Sequence, residues 1–255
     1  MEAEKIAVVM GGTSGIGLAS ARVLIESGAR VVIAGRDRDK GERAARDLGG
    51  QAHYVQADVA RSAAVSAVID AAVERWGRLD WAVNAAAIAD ARPARVADIT
   101  EDEWDRIIAA DLKGVWLSLR AEIAAMMRSG GGAIVNVSSV NGLSGTPTAA
   151  AYCAAKHAIL GLSKTAAMEY APHGIRVNVV CPGAHRTPML QGVFEAIAPG
   201  EPEKAEALYR AHIPAGRIGE PEECARAIAW LLSDAASYVS GAVVTVDGAL
   251  AAGFA

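Results

Sequence analysis

Short apolar runs alternate with longer helical patterns along nearly the whole chain, and this rhythm restricts the fold more than any other feature. Residues 6–10, 30–34, 53–56, 81–83, 133–137, 175–181 and 242–246 read as strands, being short and mostly rich in Val or Ile. Residues 15–27, 38–48, 62–76, 101–128, 151–171 and 222–233 read as helices. Thr100 precedes Glu101, Asp102 and Glu103, a capping hydroxyl followed by acids at the positive end of a helix. Strands apolar throughout must be covered on both faces, so the expectation is an α/β fold with a doubly wound parallel sheet of about seven strands. One domain, residues 1–255, accommodates it. The rhythm breaks over residues 183–219, where short helices are expected. An excursion that late lies beyond the C-terminal ends of the strands, where ligands bind, so 183–219 is read as a substrate lid.

Composition narrows the function. Hydrophobic residues reach 52% while aromatics are only 5%, and 56 alanines favour closely packed helices. A net charge of −4 leaves no electrostatic footprint for nucleic acid or an anionic membrane, which directs attention to a small-molecule substrate. Cys153, Cys181 and Cys224 are far apart and form no CxxC or Cys/His cluster, so no disulfide frame or metal site is expected. The first apolar run is too short for a signal peptide or membrane span, and the expected setting is the reducing cytoplasm.

The first strand leads into Gly11-Gly12-Thr13-Ser14-Gly15-Ile16-Gly17 and then a helix. Glycines there permit a tight turn and let backbone N–H groups approach a pyrophosphate at the helix N-terminus. The spacing, G-x-x-x-G-x-G, departs from the commoner dinucleotide fingerprint; its place between strand and helix is what points to a nucleotide. Farther on, Tyr152 and Lys156 stand four apart, on one face of the helix they begin. Ser139 lies thirteen residues before Tyr152, at the end of an apolar strand whose C-terminal edge faces the same crevice.

The glycine turn, the strand rhythm and Tyr152-x-x-x-Lys156 together resemble the short-chain dehydrogenase/reductase family. The likeness runs from Ile6 to Gly248 and includes Asp58-Val59 after the third strand and Asn84 after the fourth. It also includes Pro182-Gly183 and Thr187 after the sixth, and Val246-Asp247-Gly248 near the end. It implies a Rossmann-like sheet with helices on both faces and a nicotinamide cofactor. Gly11, Thr13, Ser14, Gly15, Ile16 and Gly17 would hold the pyrophosphate, Asp58 and Val59 the adenine end. Asn84, Ala85 and Ala86 would lie beside the cofactor, with Pro182, Gly183 and Thr187 at the nicotinamide end. Members that prefer NAD usually carry Asp at the end of the second strand, where this chain has Gly35 followed by Arg36. A guanidinium suits a 2′-phosphate, so NADP is expected, with NAD the alternative that the adjacent Asp37 favours. The resemblance also implies a homotetramer, paired through helices 101–128 and 151–171 and through the apolar tail 249–255.

The same likeness assigns the chemistry. Hydride moves between nicotinamide C4 and a substrate carbon while a proton moves on or off the oxygen. A free tyrosine, with a pKa near ~10, is a poor base at neutral pH, and an adjacent ammonium favours its phenolate. Tyr152 is therefore expected as general acid/base. Lys156 would lower its pKa and bond the nicotinamide ribose, and Ser139 would polarise the carbonyl oxygen. Two departures stand out. Asn84-Ala85-Ala86-Ala87 replaces Asn-Asn-Ala-Gly, adding a methyl where the backbone runs close to the cofactor. Asp111-Leu112-Lys113-Gly114 replaces Asn-Leu-x-Gly, so Asp111 is expected as an altered fourth catalytic member, in a helix that the family's asparagine bends.

The lid supplies Met189, Leu190, Val193, Phe194, Ile197 and Leu208, an apolar set that fits a substrate with a hydrophobic part. Asn141, Leu143 and Thr146 are expected near Ser139, and Arg128 and His173 near the entrance. The expected activity is an NADP-dependent alcohol dehydrogenase/ketoreductase acting on a secondary alcohol or ketone; sugars and polyketide-like molecules stay open as substrates. The alternative is a cofactor-binding protein with little turnover. Asp111 and the alanine run support that alternative; Ser139, Tyr152 and Lys156 argue against it.

Overall fold

In the computed structural model, which describes residues 4–88 and 93–253, each apolar run becomes a strand whose successive side chains enter opposite cores. The strands are β1 Ile6–Met10, β2 Arg30–Gly35, β3 Ala52–Gln56, β4 Trp81–Asn84, β5 Gly132–Val137, β6 Ile175–Pro182 and β7 Val243–Val246. They form one parallel sheet in the order β3-β2-β1-β4-β5-β6-β7. The helices are α1 Gly15–Glu26, α2 Arg38–Leu48, α3 Ser62–Trp76, α4 Glu101–Ile107, α5 Gly114–Ser129, α6 Ala150–Tyr170, α7 Pro188–Ile197, α8 Pro202–His212 and α9 Pro221–Leu232. Ile6, Val8 and Met10 join α3, α5 and α6 in one core, whereas Ala7 and Val9 join α1, α2 and α9 in the other. That division explains why the strands read as unbroken apolar runs. Among the described residues, no helix is long and apolar enough to cross a membrane.

The order in which strands are added reverses between the parallel neighbours β1 and β4, where Met10 stands in register with Asn84. The Ala85 N–H donates to the Met10 carbonyl at 2.9 Å, so the two strands open side by side at their C-terminal ends. Ligands bind at such a switch point. Residues 183–219 form α7 and α8, which enclose a small separate core of Phe194, Ala205, Ile213 and Ile218.

One helix differs from expectation. Residues 101–128 are not continuous: α4 and α5 are joined by a wider, π-type turn, Ile108–Lys113. The cap at its start is as expected, with Thr100 accepting from the Glu103 N–H and Glu103 bonding back. The turn widens where a fully buried carboxylate, Asp111, must reach polar partners that a regular helix would leave behind.

Candidate active site

The glycine turn is a cradle that admits no larger residues. Gly11 has φ 78°, and a Cβ on it would come within 2.6 Å of the Ala86 backbone. A Cβ on Gly17 would lie 2.3 Å from the Gly11 carbonyl oxygen. Ser14 precedes α1 with an extended backbone, makes no side-chain cap, and no acid occupies the first turn. The leading N–H groups of α1 are thus left to an anion, which fits the pyrophosphate of a dinucleotide. Several of the other residues expected at the cofactor adjoin this turn, and others stand elsewhere along the strand ends. Thr187 reaches it from beyond β6, since a Cβ on Gly15 would meet its Cγ2 at 3.2 Å. Thr13 sits against Gly35, and Gly183 packs on Asp247. Val59 abuts Gly114 and, with Met10, Asn84, Ala86 and Ser118, lines a narrow crevice beside the turn. Asp58 bonds the Ala60 N–H at 3.0 Å and so shapes the loop that carries Val59.

At the end of β2, a side chain on Gly35 would come within 2.7 Å of Thr13, so the NAD-type carboxylate has no room. Asp37 does not supply one either: its Oδ1 accepts from the Lys40 N–H at 3.0 Å and caps α2. Arg36 is exposed, its carbonyl fixed by the Gln56 amide at 2.9 Å, and Arg38 lies 3.4 Å from the same side chain. Arg38 was not expected here; its second cation beside Arg36 becomes visible only when β3 brings Gln56 alongside.

The reactive group assembles from β5, α6 and the wide turn. Tyr152 is half-buried, and the Lys156 ammonium lies 5.4 Å from its ring centre. Lys156 is 1% exposed and donates to the Val137 carbonyl at 3.2 Å. Asp111 Oδ2 stands 3.6 Å from that ammonium, and its Oδ1 accepts from the Ile88 N–H at 2.8 Å. The Ser139 hydroxyl oxygen accepts from the Asn141 N–H at 3.1 Å and bonds Tyr152. Asn141 is steadied in turn by Thr146 at 3.0 Å. Ser138 serves the backbone, donating to the Lys156 carbonyl at 2.8 Å.

Two expectations change. Tyr152 titrates above its ordinary value rather than below it, because burial outweighs the lowering by Lys156 and the Ser139 bond, and Asp111 adds to the rise. Arg128 ends α5 just before β5, and His173 lies just before β6. Both therefore sit at the N-terminal edge of the sheet, opposite the reactive group. Of the pair before Thr187, His185 turns inward and is 4% exposed, while Arg186 pairs with Glu206 at 3.0 Å and Glu220 at 3.4 Å. Arg186 thereby ties α8 to the start of α9.

Asn84, expected to brace the central strands, does so through a buried polar line whose other members, Glu122, Asn136 and Ser163, sequence reasoning missed. Asn84 donates to Glu122 at 3.0 Å and to Asn136 at 2.9 Å, and Asn136 donates to Ser163 at 2.8 Å. All four residues are buried. The signal was present: Glu122 and Asn136 each interrupt an otherwise apolar stretch.

Comparison with known proteins agrees with this geometry. Residues 11–250 match the family profile described as enoyl-(acyl carrier protein) reductase. Over 248 residues the chain is 43% identical to cis-4-hydroxycyclohexanecarboxylate dehydrogenase of Sinomonas cyclohexanicum, covering 96% of each chain. A variant actinorhodin polyketide ketoreductase solved with NADPH superimposes with a TM-score of 0.92 at 32% identity, over 98% of both chains. The 3-ketoacyl-(acyl-carrier-protein) reductase of Brucella melitensis, solved with NADH, superimposes with a TM-score of 0.89 at 33% identity, over 97% of this chain and 98% of that one. With its Rossmann-type sheet, this chain belongs to the short-chain dehydrogenase/reductase family of oxidoreductases.

Proposed function

We propose that the protein is an NADP(H)-dependent dehydrogenase/ketoreductase for a secondary alcohol or ketone with a hydrophobic portion. The observation that carries this reading is the convergence of Ser139, Tyr152 and Lys156 beside the glycine cradle. The nicotinamide, when bound, supplies or accepts the hydride. Ser139 receives the Asn141 N–H on its oxygen and keeps its own proton to donate to a carbonyl oxygen. Tyr152 gives that oxygen its proton in reduction and removes it in oxidation. Lys156 stabilises the phenolate, and Asp111 fixes Lys156. Gly11, Thr13, Ser14, Gly15, Ile16 and Gly17 hold the pyrophosphate, with Asp58, Val59, Asn84, Ala85, Ala86, Pro182, Gly183 and Thr187 lining the rest of the cofactor groove. Arg36, with Arg38 behind it, takes the 2′-phosphate.

Residues 183–219 act as the substrate lid, with α7 and α8 closing over the reactive group. The named substrates of the relatives, a hydroxycyclohexane acid and a polyketide, support a ring-bearing secondary alcohol or ketone. Exposed Trp116 and Met127 on α5 and Met168 on α6 support pairing into a homotetramer. The apolar tail would add a second contact, its last two residues lying outside the described ones. Following nicotinamide absorbance with cyclic and polyketide-like ketones, under NADPH and NADH in parallel, tests the reading. It expects NADPH consumption on at least one ring ketone. Cofactor binding without turnover across the panel overturns it in favour of the binding-protein alternative.

A further inference from the structure

Glu122 lies midway along α5 with no exposed surface, in the layer between that helix and the sheet. Its hydrogen-bond accounts do not close if it is a carboxylate. Asn84 Nδ2 donates both of its protons, one to Glu122 Oε2 and one to Asn136 Oδ1. Asn136 donates to Ser163 at 2.8 Å, and the Ser163 hydroxyl donates to the Ile159 carbonyl at 2.7 Å. Both Asn84 amide protons and the Ser163 hydroxyl proton are therefore committed, and Asn136 spends one of its two on Ser163. Two buried acceptors remain unpartnered among the described residues, Asn84 Oδ1 and Glu122 Oε1. Two acceptors cannot satisfy each other, and leaving both bare in a dry interior is costly.

One proton closes both accounts. A neutral carboxylic acid and a primary amide are planar and complementary, and one leg of their cyclic pair is already made at 3.0 Å. We propose that Glu122 is held as a neutral acid in a cyclic pair with Asn84, and that it is a positioning residue for the cofactor-side turn of Ala85 and Ala86. Asn84 ends β4, and the next N–H, that of Ala85, bonds Met10 at 2.9 Å. Ala86 is the backbone against which Gly11 rests. Movement of the Asn84 side chain thus reaches the floor of the cradle within two residues.

The surroundings favour the neutral form. The polar groups set against Glu122 from β4, β5 and α6 are Asn84, Asn136 and Ser163, and Ser118 stands one turn earlier on α5. The residues α3 adds to this layer are Val65, Val68, Ile69 and Ala72. None is charged, and the ion pair of Asp111 and Lys156 belongs to the reactive group next door. Burial accordingly pushes the Glu122 carboxyl up to about 8, opposed only by the Asn84 bond.

The consequence for binding rests on the cofactor reading; the protonation state and the placement of the turn do not. Infrared difference spectra of wild type and Glu122→Gln expect a protonated-carboxyl stretch at pH 7, absent from the variant and lost in wild type near pH 8. The NMR shift of the Ala85 amide should titrate with the same midpoint in wild type and stay flat in Glu122→Gln, whose amide reproduces the acid's donor and acceptor. NADPH affinity should fall about tenfold per pH unit above that midpoint in wild type. In Glu122→Gln it should stay within about threefold of the pH 7 wild-type value. A carboxylate at pH 7 overturns the proposal, and an Ala85 shift or NADPH affinity with the same pH dependence in both proteins overturns the positioning role. Titration of the carboxyl and of Ala85 without NADPH binding at any pH upholds the pair and refutes the cofactor reading instead.

Discussion

Replacing Asp111 by Asn removes one charge from the most enclosed ion pair among the described residues while keeping the side chain's shape. Asp111 and Lys156 are 0% and 1% exposed, and their charged atoms stand 3.6 Å apart. At an effective dielectric of 20, that separation corresponds to about 5 kcal/mol of attraction. Part of it returns in the variant. Lys156 keeps its bond to the Val137 carbonyl, Asn keeps an acceptor for the Ile88 N–H, and one charge fewer is desolvated. A net loss of about 3 kcal/mol, the lower end for breaking a buried pair, is expected. For a chain of this size it lowers Tm by about 6–12 °C. The catalytic effect runs the other way. Asp111 raises the Tyr152 pKa, so its removal lets the phenolate form at lower pH. The low-pH limb of kcat/KM for alcohol oxidation therefore moves down in Asp111→Asn. Scanning calorimetry with a pH series of oxidation rates reads both effects. An unchanged Tm with an unmoved limb would refute the reasoning, because the pair would then be coupled neither to the fold nor to Tyr152.

Other substitutions test the groove and the loop before α6. Arg36→Ala should raise the NADP dissociation constant about 10- to 100-fold and leave NAD binding nearly unchanged, as expected for loss of a charge-assisted contact of about 1.5–3 kcal/mol; equal losses for both cofactors, measured by fluorescence titration, would remove Arg36 from the 2′-phosphate site. Gly17→Ala puts a methyl 2.3 Å from the Gly11 carbonyl oxygen, so cofactor binding should fall at least tenfold; wild-type affinity would show that the cradle yields freely. Thr148 has φ 67°, a strained value for a β-branched residue, and Thr148→Asn should gain about 1 kcal/mol in urea unfolding. A loss there would mean that the Thr side chain contributes more than the strain costs.

The elements with a strong local signal were legible in the chain. The bounds of α2 and α3 coincide with expectation, as does β1, because apolar periodicity and capping residues fix them locally. The glycine cradle and the convergence of Ser139, Tyr152 and Lys156 were legible for the same reason, since each motif sits at the end of a strand or start of a helix. The wide turn at Asp111 was not, because the spacing of apolar residues over 101–128 suits a continuous helix. What opens it is the pull of Ile88 and Lys156 from distant segments. Glu122 and Asn136 interrupt apolar runs visibly, but their partners come from β4 and α6 and emerge only on folding. The direction in which Tyr152 shifts was misread, because spacing reveals the ammonium beside it but not the burial that outweighs that charge. Arg128 and His173 were placed at the wrong edge because the ends of α5 and α6 lie a full helix away from the strand tips beside Ser139 and Tyr152.

The central claim is that Tyr152 carries the proton while Ser139 and Lys156 prepare it. Single-turnover hydride transfer in Tyr152→Phe, with NADPH affinity measured on the same sample, tests it most directly. The account predicts a rate at least about 100-fold below wild type, in the range expected for loss of a general acid, with NADPH affinity within about tenfold of wild type. Hydride transfer at the wild-type rate in Tyr152→Phe, on a substrate that wild type reduces, would contradict it.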